Sequence, residues 1–267
     1  MAFIKIATPI SHLFSSEDIA KKISVYSDCF EGRETSPAIL ESEQELFHCD
    51  LSIVCPWNGK EENILLEIRK NRSSLNIITF HVASCYCDPT IQKGMFFPNG
   101  NKMKPEEMVV NTVKNLEKIR SIYPSRTKIG LENNNYFPTG AYEMVTEGSF
   151  LSELVINNGL FFLLDIAHAQ ITSMNSKIGF SKYMDSLPLG KLLQIHTSMF
   201  KVGDDGIAID SHELPSEELI ETTITIAKNY NARYITPEYY KDLQKLLELL
   251  KTIREKLCNG YNEPIEV

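Results

Sequence analysis

Basic residues are in short supply: 27 Lys and Arg against 35 Asp and Glu leave a formal net charge of −8. Binding a phosphate backbone requires clustered cations, so nucleic acid is disfavoured as a partner. No apolar run approaches the length needed to span a bilayer, which argues against a membrane role. The opening stretch, MAFIKIATPISHLF, is too polar and too interrupted for a secretory leader. The six cysteines form no C-x-x-C pair, so the expectation is a reduced, cytoplasmic protein with free thiols. Neither G-x-G-x-x-G nor G-x-x-x-x-G-K-[ST] follows any predicted strand, which removes the usual phosphate loops of open α/β sheets.

What the chain does have is a recurring unit: a short β-branched apolar run, then a longer amphipathic stretch. That alternation predicts a parallel sheet covered by helices. Eight strands are expected, at residues 3–7, 38–41, 51–55, 76–81, 128–132, 161–165, 192–196 and 234–238. The runs FFLLD and LNIITFH are nearly all apolar, as suits strands buried on both faces. Helices are expected at 105–122, 150–158, 216–230 and 243–257, the first opening on Pro105 with Glu106 and Glu107 behind it. Eight such units in 267 residues predict a single α/β domain over residues 1–267, a (β/α)8 TIM barrel.

The predicted strands end in His81, Glu132, Asp165, His196 and Glu238. In such a barrel these ends ring the active-site mouth. Three acids and two imidazoles at the mouth of an apolar barrel are costly to desolvate unless a cation pairs them. Asp165-Ile-Ala-His168 adds a donor just beyond one strand, and Asp210-Ser-His212 supplies two more from a loop. Residues two apart in an extended loop project to the same side, so Asp210 and His212 can grip one ion together. With His168 they make a two-His, one-carboxylate set suited to iron or zinc. A lone strand-end His is more often structural than a ligand; eight such residues converging favour a metal site.

These residues resemble a known set. The order of ligands is similar to the xylose-isomerase-like superfamily, which includes endonuclease IV-type enzymes, and more closely to the multinuclear non-haem iron oxidases typified by the iron subunit of methanobactin biosynthesis. The resemblance rests on FLSELVINNGLFFLLDIAHAQITSMN, YMDSLPLGKLLQIHTS, GIAIDSHELP and LEN at Leu131–Asn133, and spans about residues 50–240. It implies iron (Fe2+/Fe3+, two or three ions), with zinc or manganese as the alternative. Glu132 would bridge two ions, His81 would join it on the first, Asp165, His196 and Glu238 would complete the central one, and His168, Asp210 and His212 would hold a third. It also implies an oxidase that uses O2 to modify a cysteine of a peptide, or a small-molecule substrate, with a substrate-presenting partner protein. Where the resemblance implies a further histidine at the end of the third strand, LSIVCPWNG puts Val54, so the first ion is expected to be weak or absent.

Three other readings stay open: zinc-assisted phosphodiester hydrolysis, sugar isomerisation, and a barrel that binds without turnover. The acidic loop SMFKVGDDGIAID speaks against DNA. His12, Asn133 and Asn134 are candidate substrate contacts, although Asn clusters also simply make turns. Cys85-Tyr-Cys87 reads as incidental free thiols, and 96–100 as a lid loop.

Overall fold

In the computed structural model, which describes residues 3–259 except 38, 41, 42 and 73, eight parallel strands close into a barrel. In chain order they are β1 (Lys5–Pro9), β2 (Cys29–Gly32), β3 (Gln44–Ser52), β4 (Ile77–His81), β7 (Lys128–Glu132), β8 (Phe161–Asp165), β9 (Leu192–Thr197) and β12 (Tyr234–Pro237). Two antiparallel hairpins stand outside the barrel: β5 (Thr90–Gln92) with β6 (Met95–Phe97), and β10 (Met199–Val202) with β11 (Ala208–Glu213). Among the described residues eight α-helices surround the sheet: α1 (Glu17–Ser24), α2 (Lys60–Asn71), α3 (Pro105–Ile122), α4 (Gly148–Asn157), α5 (Ile166–Ser176), α6 (Phe180–Ser186), α7 (Glu217–Asn229) and α8 (Leu243–Asn259). No helix among the described residues is long and apolar enough to cross a membrane.

Two strands differ from the sequence expectation. The second was placed at 38–41, but Ile39 and Leu40 lie in a bend, Ala38 and Glu41 fall outside the described residues, and the strand is Cys29–Gly32. The third was placed at 51–55 but runs from Gln44 to Ser52, with an irregularity in its pairing to β4 between Cys49 and Ser52. Residues 96–100 are not wholly a loop either, because Phe96 and Phe97 belong to β6.

Side chains alternate along a strand, so every second residue faces the lumen. Ala7, Cys29, Leu46, Ile77 and Tyr234 pack together and fill the lower part of the barrel. Two residues higher on the same strands the lumen turns polar, with Glu31, His48, Thr79 and Thr236 all buried. Gly130 makes room for this layer, since a Cβ there would lie 3.0 Å from Thr79 Cγ2. The large apolar cluster lies outside the strands, where Phe80, Leu131, Phe162 and Ile195 meet helix residues such as Leu65, Leu116 and Leu250. The apolar burial that holds the barrel together is thus separate from the polar layer at its mouth.

Candidate metal centre

Strand register brings the predicted residues together before any side-chain contact is considered. His81 pairs with Glu132 across β4 and β7, and Asp165 with His196 across β8 and β9. The backbone N–H of Glu238 donates to the Thr197 carbonyl at 3.0 Å, which extends β12 by one residue and fixes that carboxylate at the rim.

Among the described residues, three donor sets have ligand atoms within 4.8 Å of one another: His48–His81–Glu132, Glu132–Asp165–His168 and Glu31–His196–Glu238. Glu132 belongs to two of them, as a bridging carboxylate must. Its Oε2 lies 2.9 Å from His81 Nδ1 and 3.3 Å from His48 Nε2, and its Oε1 lies 3.3 Å from His196 Nδ1. Asp165 groups here with His168, while Glu31 stands beside His196 and Glu238. The hairpin adds Asp210, whose Oδ2 is 3.4 Å from His168 Nε2, and His212, whose Nε2 is 3.3 Å from Glu238 Oε2. His212 has φ 45°, a left-handed backbone on β11 that a non-glycine residue adopts at a cost. That kink accompanies the contact of its ring with Glu238.

His48 overturns the expectation of a deficient first ion. With β3 in its observed register, His48 faces the lumen, and its ring centroid lies 4.3 Å from that of His81. Val54 lies beyond the strand, fully buried among apolar residues. Glu31 was also missed, because the second strand had been placed too late in the chain. The signal for His48 was present in Glu-Leu-Phe-His-Cys-Asp, a β-compatible run interrupted by one imidazole.

The imidazoles are oriented by their second nitrogens. His48 Nδ1 meets Thr79 Oγ1 at 2.7 Å, and His168 Nδ1 meets the Asn133 carbonyl at 2.9 Å. In each case Nε2 is left for the centre of the site, the arrangement found at metal-bound histidines. Asp165 does two jobs: its Oδ1 accepts from the His168 backbone N–H at 2.7 Å and caps α5, which sets the pitch that brings His168 back to the rim.

Charge is imperfectly balanced among these groups. Burial works against the Glu132 carboxylate, but the His48, His168 and His81 imidazoles hold it well below the usual range. Burial, reinforced by Glu132 and Asp210, raises Asp165 to about 6. Burial also opposes charge on His196, yet Glu31 and Glu132 lift it to about 9. Burial opposes the Glu31 carboxylate as well, and His196 nonetheless lowers it to about 2. Burial lowers His48 to about 3. Arg33 Nη2 pairs with Glu238 and stands 3.7 Å from Glu31 Oε1.

Despite these contacts, Glu132 Oε2, His196 Nδ1 and Glu31 Oε1 are buried without a hydrogen-bond partner. The two carboxylate oxygens offer lone pairs that no proton satisfies, and the His196 nitrogen offers one once its proton is displaced. Such orphaned acceptors are costly unless a cation receives them, and a mixed carboxylate–imidazole set suits a first-row metal. The donors therefore fit metal ions.

The candidate substrate contacts fare differently. Asn133 spends its amide on the backbone of Asp165, donating at 2.9 Å and accepting at 2.9 Å. Asn134 lines the mouth, but its amide donates to the Ala83 carbonyl at 2.7 Å and its Oδ1 accepts from Asn135 N. His12 is exposed in the turn after β1 and is not among the residues lining the mouth. The mouth itself is a cleft of about 480 Å³ lined by Ile91, Phe96 and Tyr142 together with the candidate donor side chains. Cys85 and Cys87 part company: the Cys85 thiol is buried against the Ala141 carbonyl at 3.3 Å, whereas Cys87 is exposed.

The architecture is a (β/α)8 barrel. The chain superposes on 3-keto-D-glucoside 4-epimerase YcjR from E. coli with a TM-score of 0.59 and 13% identity, covering 94% of this chain and 99% of that one. It also superposes on D-psicose 3-epimerase from Clostridium cellulolyticum H10, with a TM-score of 0.59 and 11% identity over 96% and 99% of the two chains. At such identity the likeness speaks for fold alone. Residues 66–255 match the family described as RiPP precursor modification enzyme MbnB/TglH/ChrH, and the chain belongs to that family. It is also 31% identical over 85 residues to a UPF0276 protein of Caulobacter vibrioides, a match that spans 32% of this chain and 30% of that protein.

Proposed function

We propose that the barrel mouth holds two or three iron ions and uses O2 to modify a cysteine of a ribosomally made peptide. The observation that carries this reading is Glu132, one buried carboxylate shared by two donor sets at the floor of an accessible cleft. Family membership supplies the substrate class, since the family is described as modifying RiPP precursors.

The proposed ligands are His48, His81 and Glu132 for one ion, Glu132, Asp165 and His168 for a second, with Asp210 and His212 beside it, and Glu31, His196 and Glu238 for a third. Iron, when bound there, supplies one-electron chemistry and a Lewis acid that favours thiolate over thiol. The chain's own groups do the rest. Thr79 orients the His48 ring, and the Asn133 carbonyl, which can only accept, keeps the proton of His168 on Nδ1. Arg33 and Tyr240, whose hydroxyl donates to Glu238 Oε1 at 3.0 Å, keep that carboxylate at the rim. Ile91, Phe96 and Tyr142 give the cleft an apolar wall that excludes water around a peptide side chain.

A precursor peptide is longer than this cleft can hold, so the part outside it needs another surface. We assign that role to a substrate-presenting partner protein.

Anaerobic purification with Fe2+, metal analysis and reaction with a Cys-containing precursor peptide test the proposal. The expected result is two to three iron ions per chain, a visible band when the peptide is added, and an O2-dependent change in peptide mass. Colourless, zinc-loaded protein that hydrolyses phosphodiesters would replace this reading with the hydrolytic one.

A further inference from the structure

The β5–β6 hairpin turns on Lys93 and Gly94, with φ 51° and 77°, the double left-handed pair of a two-residue type I′ loop. Such a loop makes its flanking residues, Gln92 and Met95, a hydrogen-bonded pair, and the pairing alternates from there. Ile91 and Phe96, the next pair, therefore turn their backbone groups away from each other. Phe96 bears this out: its N–H donates to the Tyr142 hydroxyl at 2.8 Å, and its carbonyl accepts from Thr139 Oγ1 at 2.7 Å. Side chains thus close that edge of the hairpin. The opposite edge is open. Thr90, Ile91 and Gln92 are all exposed, and among the described residues nothing outside the hairpin is bonded to the Ile91 N–H or carbonyl.

This open edge borders the barrel mouth. Ile91 and Phe96 line the cleft that also holds His81 and Glu132, whereas Thr90, Gln92, Met95 and Phe97 do not. Ile91 is 67% exposed, a large apolar side chain on an uncovered strand. The other hairpin is guarded by comparison. Between β10 and β11 the register is irregular from Met199 to Lys201, and Lys201 pairs with Glu213 at 2.8 Å. Irregular pairing and edge lysines discourage a further strand. β5 is uncharged and pairs with β6 in unbroken register.

We propose that an extended segment of the substrate peptide adds to β5 as an antiparallel strand, with its cysteine opposite Ile91. The inference rests on the mouth acting on a peptide. Residues opposite each other share a face, so the thiol enters the cleft beside Ile91, while the residues before and after the cysteine point away. The Ile91 N–H donates to the cysteine carbonyl and the Ile91 carbonyl accepts from the cysteine N–H, whatever the flanking sequence. A strand of 3 residues with one outward residue is too short an edge to hold a second copy of this chain, but it can align a peptide that leaves after reaction.

The test titrates the capped pentapeptide VTCTV calorimetrically into full-length, iron-loaded protein without O2. Saturating peptide should slow exchange of the Ile91 amide with deuterated solvent at least about tenfold. Ile91→Pro removes the outward N–H at a position where an edge strand accepts proline, and should weaken binding about fivefold or more. Ile91→Ala keeps that N–H and should lose less. N-methylation of the peptide's cysteine should reproduce the Ile91→Pro loss with the protein unaltered, whereas N-methylation of the threonine after it, whose N–H points to solvent, should not. No binding by the parent protein, an unprotected Ile91 amide, or equal losses in Ile91→Pro and Ile91→Ala would overturn the docking. A peptide that binds this way yet is never altered by O2 would remove the oxidase reading and leave the docking. A peptide that is altered with the same KM in parent and Ile91→Pro would do the reverse.

Discussion

His48 Nε2 stands 3.3 Å from Glu132 Oε2, with His81 Nδ1 at 2.9 Å from the same oxygen. The two rings approach this carboxylate from neighbouring strands, so the first donor set has three protein ligands. His48→Ala should therefore lower iron content by about one ion per chain, since two ligands rarely retain a metal where three hold it. Val54→Ala should leave it unchanged. Metal analysis of both variants checks this, and iron content unchanged in the His48 variant would restore the expectation of a weak or absent first ion.

Because Glu132 is common to two donor sets, its removal has a larger reach. Glu132→Ala should empty two positions, whereas His48→Ala and Asp165→Ala should each empty one. Iron counts that fall equally in all three variants would contradict the sharing.

Protons and metal compete for the imidazoles. Burial opposes charge on His196, but Glu31 raises it to about 9 in the metal-free chain, so it carries a proton at pH 7. A raised imidazole stabilises the fold fully below its unfolded value of about 6.5 and loses that contribution as pH climbs through its folded value. Metal-free protein should thus lose part of its stability to urea between about pH 6.5 and 9. Over the same window metal affinity should rise, because the ion no longer has to displace that proton. Urea midpoints and metal titrations at several pH values check both; affinity independent of pH would remove His196 from the ligand set.

Asn133 serves the backbone of Asp165 with both ends of its amide. Asn133→Ala leaves a buried N–H and carbonyl unpaired and should cost about 2 kcal/mol of stability. A substrate contact would instead raise KM in a fully stable protein. Denaturant unfolding together with steady-state kinetics separates the two roles.

Much of this arrangement was legible in the chain because β7 and β8 are apolar runs that end abruptly in an acid. Their bounds, Lys128–Glu132 and Phe161–Asp165, match the sequence expectation. The failures at β2 and β3 share a physical cause. Those strands carry Glu31 and His48 on the lumen face, so the polar groups that serve the site break the apolar pattern by which strands are recognised. Reading β3 at 51–55 put Val54 where His48 belongs and made an intact donor set look defective. The regrouping of Asp165 with His168 was also hidden, because it depends on the cap that starts α5 rather than on strand order.

Asp210 and His212 are carried on the β10–β11 hairpin, outside the barrel, while their neighbours His168 and Glu238 belong to its wall. The Asn175 amide already clasps the backbone of Ala208 at the start of β11 from both sides, so an ion seated among these four side chains would add a second rivet between arm and cylinder.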